Sequence, residues 1–357
     1  MDKQWHKRVV ALFGAVLLIG TLAQAEAVAG EMGHYAPAPI GVRDMVMPPA
    51  GKYFVSYDIY YGTDKFKNSS GDSLDSLSVS GSRTFYISGQ HGRIPVTITG
   101  NLSVDLDLDI DSYAWAPAFL WVTDQEFLGA NYGWMVSPTF GHMSVEVEAR
   151  ANAVGTLTIG NISQPFSASK SAKIKDDATG FGDALVMPLW LGWRGKHYDA
   201  GFNYAVYLPT GYYDKDNIAN IGYGFLTNRL QASYYFYPME NKATAFMITP
   251  TYEWHSKKID EHVQPGQNFT LEYGISQYLS ERFEIGISAY NQWQISDDHG
   301  SAAVNKDTHD SVSGFGGQIT YWPIKKKCAV VGKFMQEYNA KDRTEGMFGA
   351  VNVMWIF

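Results

Sequence analysis

The sequence predicts an all-β fold, a closed antiparallel transmembrane β-barrel of about 12 strands, within a range of roughly 10 to 14. Three features of the chain indicate this fold. Apolar residues recur at every second position, short and long connections alternate between the strands, and the chain ends on an aromatic, alternating segment. Strands can cross hydrocarbon only as a closed sheet, because no water is present there to satisfy their backbone groups.

The alternation is clear in the C-terminal half of the chain. Leu230, Ala232 and Tyr234 alternate with Gln231 and Ser233, which is typical of a strand with one apolar and one polar face. No useful helix-period segment follows the N-terminal region. The predicted strands lie near 52–61, 102–122, 133–150, 184–194, 197–207, 225–236, 243–254, 268–279, 282–293, 313–322, 328–337 and 346–357.

The connections between these strands are sorted by length. The tight turns are Arg194–Lys196, Pro238–Lys242, Ser280–Glu281 and Pro323–Lys327. The long polar links are Leu208–Gly224, His255–Gln267, Ile295–Val312 and Tyr338–Glu345. Bacterial outer-membrane barrels have short periplasmic turns and long extracellular loops, so the strict alternation favours a barrel over a soluble sandwich.

Aromatic residues cluster near the predicted strand ends, as expected of the two aromatic girdles that border a membrane. The set comprises Trp190, Trp193, Tyr234–Tyr237, Trp254, Trp293, Trp322 and Trp355. The terminal Phe357 follows Val351, Val353 and Trp355 at alternating positions. This pattern resembles the C-terminal strand signature of bacterial outer-membrane proteins, which implies that Trp355 and Phe357 form an insertion signal for the barrel-assembly machinery.

The N-terminus predicts export. Lys3, Lys7 and Arg8 precede an apolar run and the small-residue pattern Ala23-Gln24-Ala25, so we expect a signal peptide over 1–25. The segment 26–51 is then a leader, which could be a lumen plug or a periplasmic tail, and 52–357 is the barrel. The expected location is the bacterial outer membrane.

Composition excludes several other classes of protein. Aromatic residues make up 15% of the chain, too many for a disordered protein. The net charge of −8 provides no basic surface for nucleic acid. The lone Cys328 excludes a disulfide framework, a cysteine zinc site and an iron–sulfur cluster.

Four stretches of the chain carry a family resemblance: Gly33–Phe66, Leu128–Pro138, Gly180–Tyr213 and Asn220–Phe236. Together they resemble the family of outer-membrane proteins named for the meta-pathway of phenol degradation, which is distantly similar to hydrocarbon and fatty-acid outer-membrane transporters. The resemblance implies a barrel for passive uptake of small hydrophobic, aromatic compounds. It implies no catalytic residues and no cofactor, and its partners would be outer-membrane lipid, lipopolysaccharide and the small hydrophobic ligand.

Two sets of residues are candidates for the lumen. Charged side chains are costly on a lipid-facing surface, so those on predicted strands should line the lumen. They are Arg194, Arg229, Glu253, Glu272 and Lys333. If the leader folds into the lumen, its polar residues would form the plug, and these are His34, Tyr35, Arg43 and Asp44.

Four alternating aspartates leave two interpretations open. Asp105, Asp107, Asp109 and Asp111 alternate along a strand, which suits either a cation site or a solvated face. Strand spacing spreads the four carboxylates over roughly 20 Å, which is too far for one ion.

The alternative functions are a structural or adhesive barrel without transport and a membrane-embedded hydrolase, although the chain has no recognised catalytic motif.

Overall fold

The computed structural model of the protein describes residues 33–89, 92–304 and 306–357, and the predicted signal peptide over 1–25 lies outside them. The described residues fall into two compact units. One comprises Ser73–Leu108 and Glu146–Lys175, and the other comprises 33–72, Asp109–Val145 and Asp176–Phe357. In the described part of the chain no helix is long and apolar enough to cross a membrane, a finding that does not bear on crossing by strands.

The regular structure of the described residues consists of β-strands. They are β1 (Gly51–Thr63), β2 (Phe66–Lys67), β3 (Ser76–Gly89), β4 (Gly92–Phe127), β5 (Ala130–Ser137), β6 (Phe140–Ile159), β7 (Ile162–Phe181), β8 (Ala184–Arg194), β9 (Tyr198–Leu208), β10 (Thr227–Phe236), β11 (Thr244–His255), β12 (Asn268–Ser280), β13 (Phe283–Gln294), β14 (Ser311–Ile324), β15 (Cys328–Lys341), β16 (Arg343–Thr344) and β17 (Met347–Ile356).

Twelve of these strands form a closed antiparallel ring within the second unit. Its order is β1, β4, β5, β8, β9, β10, β11, β12, β13, β14, β15 and β17, and β1 closes the ring by pairing with both β17 and β4. The predicted fold class and strand number are therefore confirmed. Closure leaves no strand edge exposed to lipid, as a membrane barrel requires.

The predicted alternation of connection lengths is confirmed for three of the four long links, whereas the fourth, 342–346, has five residues and is shorter than the turn at 237–243. Short turns at 195–197, 237–243, 281–282 and 325–327 lie at one end of the barrel, which we call the turn end. The links at 209–226, 256–267, 295–310 and 342–346 lie at the other end, which we call the loop end. Both Gly51, where β1 begins, and Phe357 lie at the turn end, because the Phe357 N–H donates to the carbonyl of Lys52 over 3.1 Å.

Inward and outward faces follow the period of two. On β10 the inward residues Thr227, Arg229, Gln231, Ser233 and Tyr235 are buried. Large apolar side chains cover the outward face, where lipid accounts for their exposure. Examples are Phe236, Ile248, Ile287, Phe315, Ile319, Phe334 and Val351.

The first unit differs from the prediction. The predicted strand over 102–122 is part of β4, which is 36 residues long. The predicted strand over 133–150 is divided between β5 and β6 at Pro138 and Thr139, and β3 and β7 were missed altogether. Most side chains of β3 and β7 are polar or exposed, so these strands lack the hydrophobic alternation by which a strand is recognised.

The four alternating residues Asp105, Asp107, Asp109 and Asp111 do not form one site. In the first unit Asp107 lies 3.3 Å from Arg150, and in the second unit the Tyr60 hydroxyl donates to Asp111 over 2.6 Å. No group of three or more metal-ligating side chains that could hold an ion occurs among the described residues.

Candidate functional site

Residues 33–48 of the predicted leader lie among the inward-facing side chains of the barrel. From here on, the leader means residues 33–48. The leader is a chain of tight turns, in which Ile40, Asp44 and Val46 donate their N–H groups to carbonyls three residues earlier. Its side chains are largely buried; Tyr35, Ala38, Val42, Met45 and Met47 are each less than a tenth exposed. Such an irregular backbone is tolerated at membrane depth only where protein encloses it.

His34 connects the leader to the loop end of the barrel. Its Nε2 lies 2.9 Å from Oδ2 of Asp183, and its Nδ1 lies 2.6 Å from Oγ1 of Thr227. A carboxylate only accepts, so Nε2 carries the proton. Thr227 Oγ1 also lies 2.7 Å from Nδ1 of His255, which makes a continuous hydrogen-bonded chain from Asp183 to His255.

Aromatic rings enclose the His34 imidazole. Tyr207 stacks on it at a centroid distance of 5.0 Å, and Tyr223 and Phe225 lie at 4.5 and 4.9 Å. Burial lowers the pKa of His34 below its ordinary value of 6.5, although the neighbouring Asp183 carboxylate opposes the shift. His34 is therefore held in its neutral form as a donor to Asp183.

Tyr35 occupies the middle of the lumen. Its backbone N–H donates to Oε1 of Glu253 over 2.9 Å, and its hydroxyl donates to Oε2 of Glu272. The same hydroxyl accepts from Gln231 Nε2 over 2.8 Å, and the Arg229 guanidinium lies 5.0 Å from the centre of the ring. Two buried carboxylates and one buried cation thus meet around a single leader side chain.

The neighbouring residue Gly33 lies close to two side chains of the barrel wall. A Cβ at this position would lie 2.5 Å from Oε2 of Glu253. A larger residue here would require the side chains of Glu253 and Asn268 to move, so the leader passes close to the barrel wall at this point.

Backbone groups of the leader bind the opposite wall. Lys333 Nζ donates to the carbonyl of Ile40, and Asn352 Nδ2 donates to the carbonyl of Pro39 over 2.9 Å. Gln318 Oε1 accepts from the Val42 N–H over 2.7 Å. These contacts satisfy backbone groups that the turns of the leader leave unpaired.

Arg43 fixes the leader at the turn end. Its Nε donates to Oε1 of Glu284 over 2.6 Å, and its two Nη atoms donate over 2.9 Å to the carbonyls of Lys242 and Ala243. Its guanidinium also lies 4.7 Å from the ring centre of Tyr278. Nε also donates to Ser276 Oγ over 2.8 Å, so three nitrogens of one cation bind four acceptors on the wall and on the turn backbone, which is a geometry suited to arginine.

Asp44 and Met47 complete the turn-end contacts. Asp44 Oδ2 accepts from the Gly41 N–H over 2.8 Å, within the leader itself. Arg194 Nη2 donates to the carbonyl of Met47 over 2.6 Å. The Met47 side chain lies over Gly192, where an added Cβ would be 2.3 Å from Cβ of Met47.

The structure brings most of the sequence-predicted residues together. Arg229, Glu253, Glu272 and Lys333 face inward and each contacts the leader, as described above. Arg194 is more exposed and lies at the turn-end rim. Of the four leader residues, His34, Tyr35 and Arg43 bind the wall, whereas Asp44 binds within the leader.

Several inward residues were missed or misassigned. Trp190, Tyr235, Tyr237 and Trp322 were predicted as girdle residues, but they point into the lumen. Their parity could have shown this, since Tyr235 shares the face of Arg229 and Gln231. Sequence reasoning also missed Asp183, Thr227 and Glu284. Thr227 shares the face of Arg229, and Glu284 is a charged residue on a predicted strand, so both could have been found, whereas no spacing pattern indicates Asp183.

A cavity of about 330 Å³ lies in the turn-end half of the lumen, beside the leader. Its lining is mainly aromatic and aliphatic, and volumes of about 300–1,000 Å³ with such linings are typical of small-ligand sites. The apolar lining residues include Tyr53, Val55, Tyr57, Leu120, Met135, Met187, Trp190, Tyr237, Tyr278, Trp322, Ala329, Val331 and Met354.

Comparison with known proteins identifies the family of the chain and a solved structure with a similar fold. A family model described as "Putative MetA-pathway of phenol degradation" matches residues 64–353. The crystal structure of the COG4313 outer membrane channel from Pseudomonas putida F1 is similar, with a TM-score of 0.65 at 13% identity, over 89% of this chain and 100% of that chain. At this identity the likeness shows the fold alone.

Two more solved structures are more distant. The TodX deltaS2S3 mutant, described as a monoaromatic hydrocarbon channel, has a TM-score of 0.40 at 10% identity, over 87% of this chain and 91% of that one. A Pseudomonas aeruginosa FadL homologue has a TM-score of 0.37 at 10% identity, over 93% and 95% of the two chains. Similarity at these scores supports no further argument, and no curated protein matches the sequence.

Proposed function

Because the chain belongs to the family of the putative MetA-pathway of phenol degradation and folds as a closed transmembrane barrel, we propose that it is an outer-membrane channel for passive uptake of small hydrophobic, aromatic compounds. Export by a cleaved signal peptide, contact with lipopolysaccharide, and insertion through Trp355 and Phe357 by the barrel-assembly machinery belong to the same proposal. The solved outer-membrane channel of the same fold supports the location.

The observation that carries this proposal is the aromatic and methionine-lined cavity inside the barrel. A water-filled pore for ions or sugars would need polar walls throughout, whereas this cavity presents aromatic and thioether surfaces to a ligand. Rings and thioethers attract aromatic ligands through stacking and sulfur–aromatic contacts. The cavity has room for a single small ligand rather than a column of water.

The leader serves as the plug of this channel. It occupies the loop-end half and the middle of the lumen, where Tyr35 and Ile40 are bound to the walls. A ligand entering from the loop end reaches the cavity only when the leader shifts. Water can replace the hydrogen bonds and ion pairs of the leader, so the proposed shift needs no external energy source.

Uptake into liposomes tests the proposal. Vesicles containing the purified barrel should take up toluene and phenol faster than protein-free vesicles, whereas glucose should enter both at the same rate. Equal rates of aromatic uptake with and without the barrel would refute the channel function.

The occupied lumen gives a second candidate, a structural or adhesive barrel without transport. It is favoured by the number of buried contacts that the leader makes. A wild-type barrel that neither conducts ions nor speeds aromatic uptake, and whose leader-deleted variant is equally closed to aromatics, would establish this alternative.

A further inference from the structure

In the described part of the chain, the first unit has two strand edges of a kind that the closed ring lacks. Its strands lie in the order β3, β4, β6 and β7, and among the described strands β3 pairs with β4 alone. β7 lies at the opposite end of this order. In an edge strand, half of the backbone N–H and C=O groups point away from the sheet, where they can pair with another chain.

The two edges differ in how well they are protected against pairing. β7 carries Pro165, Lys170, Lys173 and Lys175, and proline and lysine are the residues that discourage pairing at an edge. β3 contains no proline, lysine or carboxylate in its 14 residues, and Arg83 is its single charge. It also contains valine, threonine, isoleucine and aromatic residues, which favour strands. β3 is therefore the edge that is available to a partner.

β3 has one hydroxyl-bearing face and one mainly apolar face. On the first face Ser82 Oγ lies 2.9 Å from Thr99 Oγ1, and Thr84 Oγ1 lies 2.8 Å from Thr97 Oγ1, both on β4. The other face carries Val79, Gly81, Arg83 and Phe85. Val79 and Phe85 are 47% and 42% exposed, so pairing with β4 leaves much of their apolar surface in contact with solvent.

A second copy of β3 matches this edge in one register. Two identical strands pair antiparallel around a two-fold axis, and residues directly opposite each other share a face of the sheet. With the axis at Ser82, Ser80 lies opposite Thr84 of the second copy, and Val79 lies opposite Phe85 of the second copy. Hydroxyl groups therefore meet hydroxyl groups, and apolar side chains meet apolar side chains.

The charge of Arg83 favours this register over its two neighbours. With the axis at Ser82, Arg83 lies opposite Gly81 of the second copy, where no side chain or charge opposes it. An axis at Arg83 itself would place two guanidinium groups directly opposite each other, which is destabilising. An axis at Gly81 would place Arg83 opposite Val79, a cation against an apolar side chain.

From this match we propose that β3 pairs antiparallel with β3 of a second copy, around a two-fold axis at Ser82. The sheets of the two first units then continue into one sheet. The pairing gives partners to the backbone groups of both edges and covers apolar surface of Val79 and Phe85. It goes beyond the proposed uptake function, because no residue of β3 lines the lumen cavity.

Disulfide formation between two copies tests the register. The full chain, purified in detergent, would carry Cys328→Ala so that one new cysteine is the only one present. Ser82→Cys places its two copies directly opposite, where the Cβ atoms lie about 4.5–5.5 Å apart and need only a small adjustment to form a disulfide. Mild oxidation should therefore convert most of this variant into a covalent dimer.

Ser78→Cys is the matched control for this crosslink. It makes the same change on the same face of the same strand. In the proposed register its two copies lie roughly 27 Å apart, because eight residues separate them along the strand. This variant should therefore form no covalent dimer under the same oxidation.

Charge at the two-fold axis tests the pairing without a crosslink. Ser82→Lys places two ammonium groups opposite each other and should raise the dissociation constant of the dimer about 2- to 5-fold, measured by analytical ultracentrifugation. Ser82→Glu should do the same, whereas an equal mixture of the two variants should form heterodimers at least as tightly as the wild type pairs with itself. Ser78→Lys, which lies opposite Tyr86 of the second copy, is the control and should leave the dissociation constant unchanged.

A wild type that remains monomeric at the highest soluble concentration would overturn the proposal. Equal crosslinking of Ser82→Cys and Ser78→Cys, or a dissociation constant that Ser82→Lys leaves unchanged, would do the same. Crosslinking of Ser82→Cys in intact cells to a different protein, without the homodimer, would show that this edge binds a foreign chain and would also overturn the proposal.

Discussion

The two halves of the lumen are built from the same strands but hold the leader in different ways. From the loop end to the middle of the lumen, His34 and Tyr35 are surrounded by polar, ionised and aromatic groups. At the turn end, Arg43 is the main polar anchor, and beside it lies the apolar cavity. The leader therefore closes one half of the lumen and leaves a ligand-sized space in the other.

Removal of the leader should have the largest effect on this arrangement. Deletion of residues 33–48 with the signal peptide retained opens both halves, because none of the wall contacts described above remains. Single-channel conductance in planar bilayers should rise by an order of magnitude or more over the wild type. An unchanged conductance would show that the leader does not close the lumen.

Loss of the turn-end anchor should have the next largest effect. Arg43→Ala leaves the carboxylate of Glu284 buried without its cation, which costs about 3–5 kcal/mol for a buried pair. The leader should then become accessible to added protease in intact, folded barrels. The double variant Arg43→Ala with Glu284→Ala removes the orphaned charge, and it should recover part of the lost thermal stability.

Steric displacement of Met47 should have a smaller effect confined to the turn end. Gly192→Leu places a side chain where the leader packs, and such overpacking typically costs about 1–3 kcal/mol. Gly349→Leu is the matched control, since nothing lies within 4 Å of a Cβ at that outward position. Protease sensitivity of the leader should rise in the first variant only, and equal sensitivity in both would contradict the described contact.

Acidification should have the smallest effect and should act at the loop end. The pKa of His34 is lowered by burial, so protonation favours the undocked leader. Stability of the docked state is fully present above about pH 6.5 and falls as the pH drops from there toward the lowered pKa. Wild-type conductance should therefore increase modestly on acidification, whereas His34→Asn should show a flatter pH dependence over the same range.

The sequence was informative wherever lipid imposes a requirement. From β8 to β17, apolar outward faces and tight turns defined the barrel strands to within a few residues. The same requirement placed Arg229, Glu253, Glu272 and Lys333 on inward faces, because lipid excludes charge. Along β3 and β7 the hydrophobic alternation is absent, and both strands were missed.

The binding of the leader could not be derived from the sequence. His34 and Asp183 are 149 positions apart, and Pro39 and Asn352 are 313 positions apart. No local periodicity records such pairings, since closure of the barrel alone brings these residues together. The cavity was overlooked for another reason: Trp190 and Trp322 were assigned to the membrane boundary by residue type, whereas their position on the strand places them inside.

A reversible crosslink of the leader tests most directly whether ligands pass only when it moves. A Cβ at Gly274 would lie 3.2 Å from Cγ2 of Val42 and 2.9 Å from the carbonyl oxygen of Ile287. Val42→Cys with Gly274→Cys is therefore placed to form a disulfide after a small shift of the Ile287 carbonyl, in a background carrying Cys328→Ala. Liposomes with the oxidised variant should take up phenol no faster than protein-free vesicles, and a reductant should restore the uptake. Equal phenol uptake before and after reduction, with the crosslink verified by mass spectrometry, would show that phenol passes without movement of the leader.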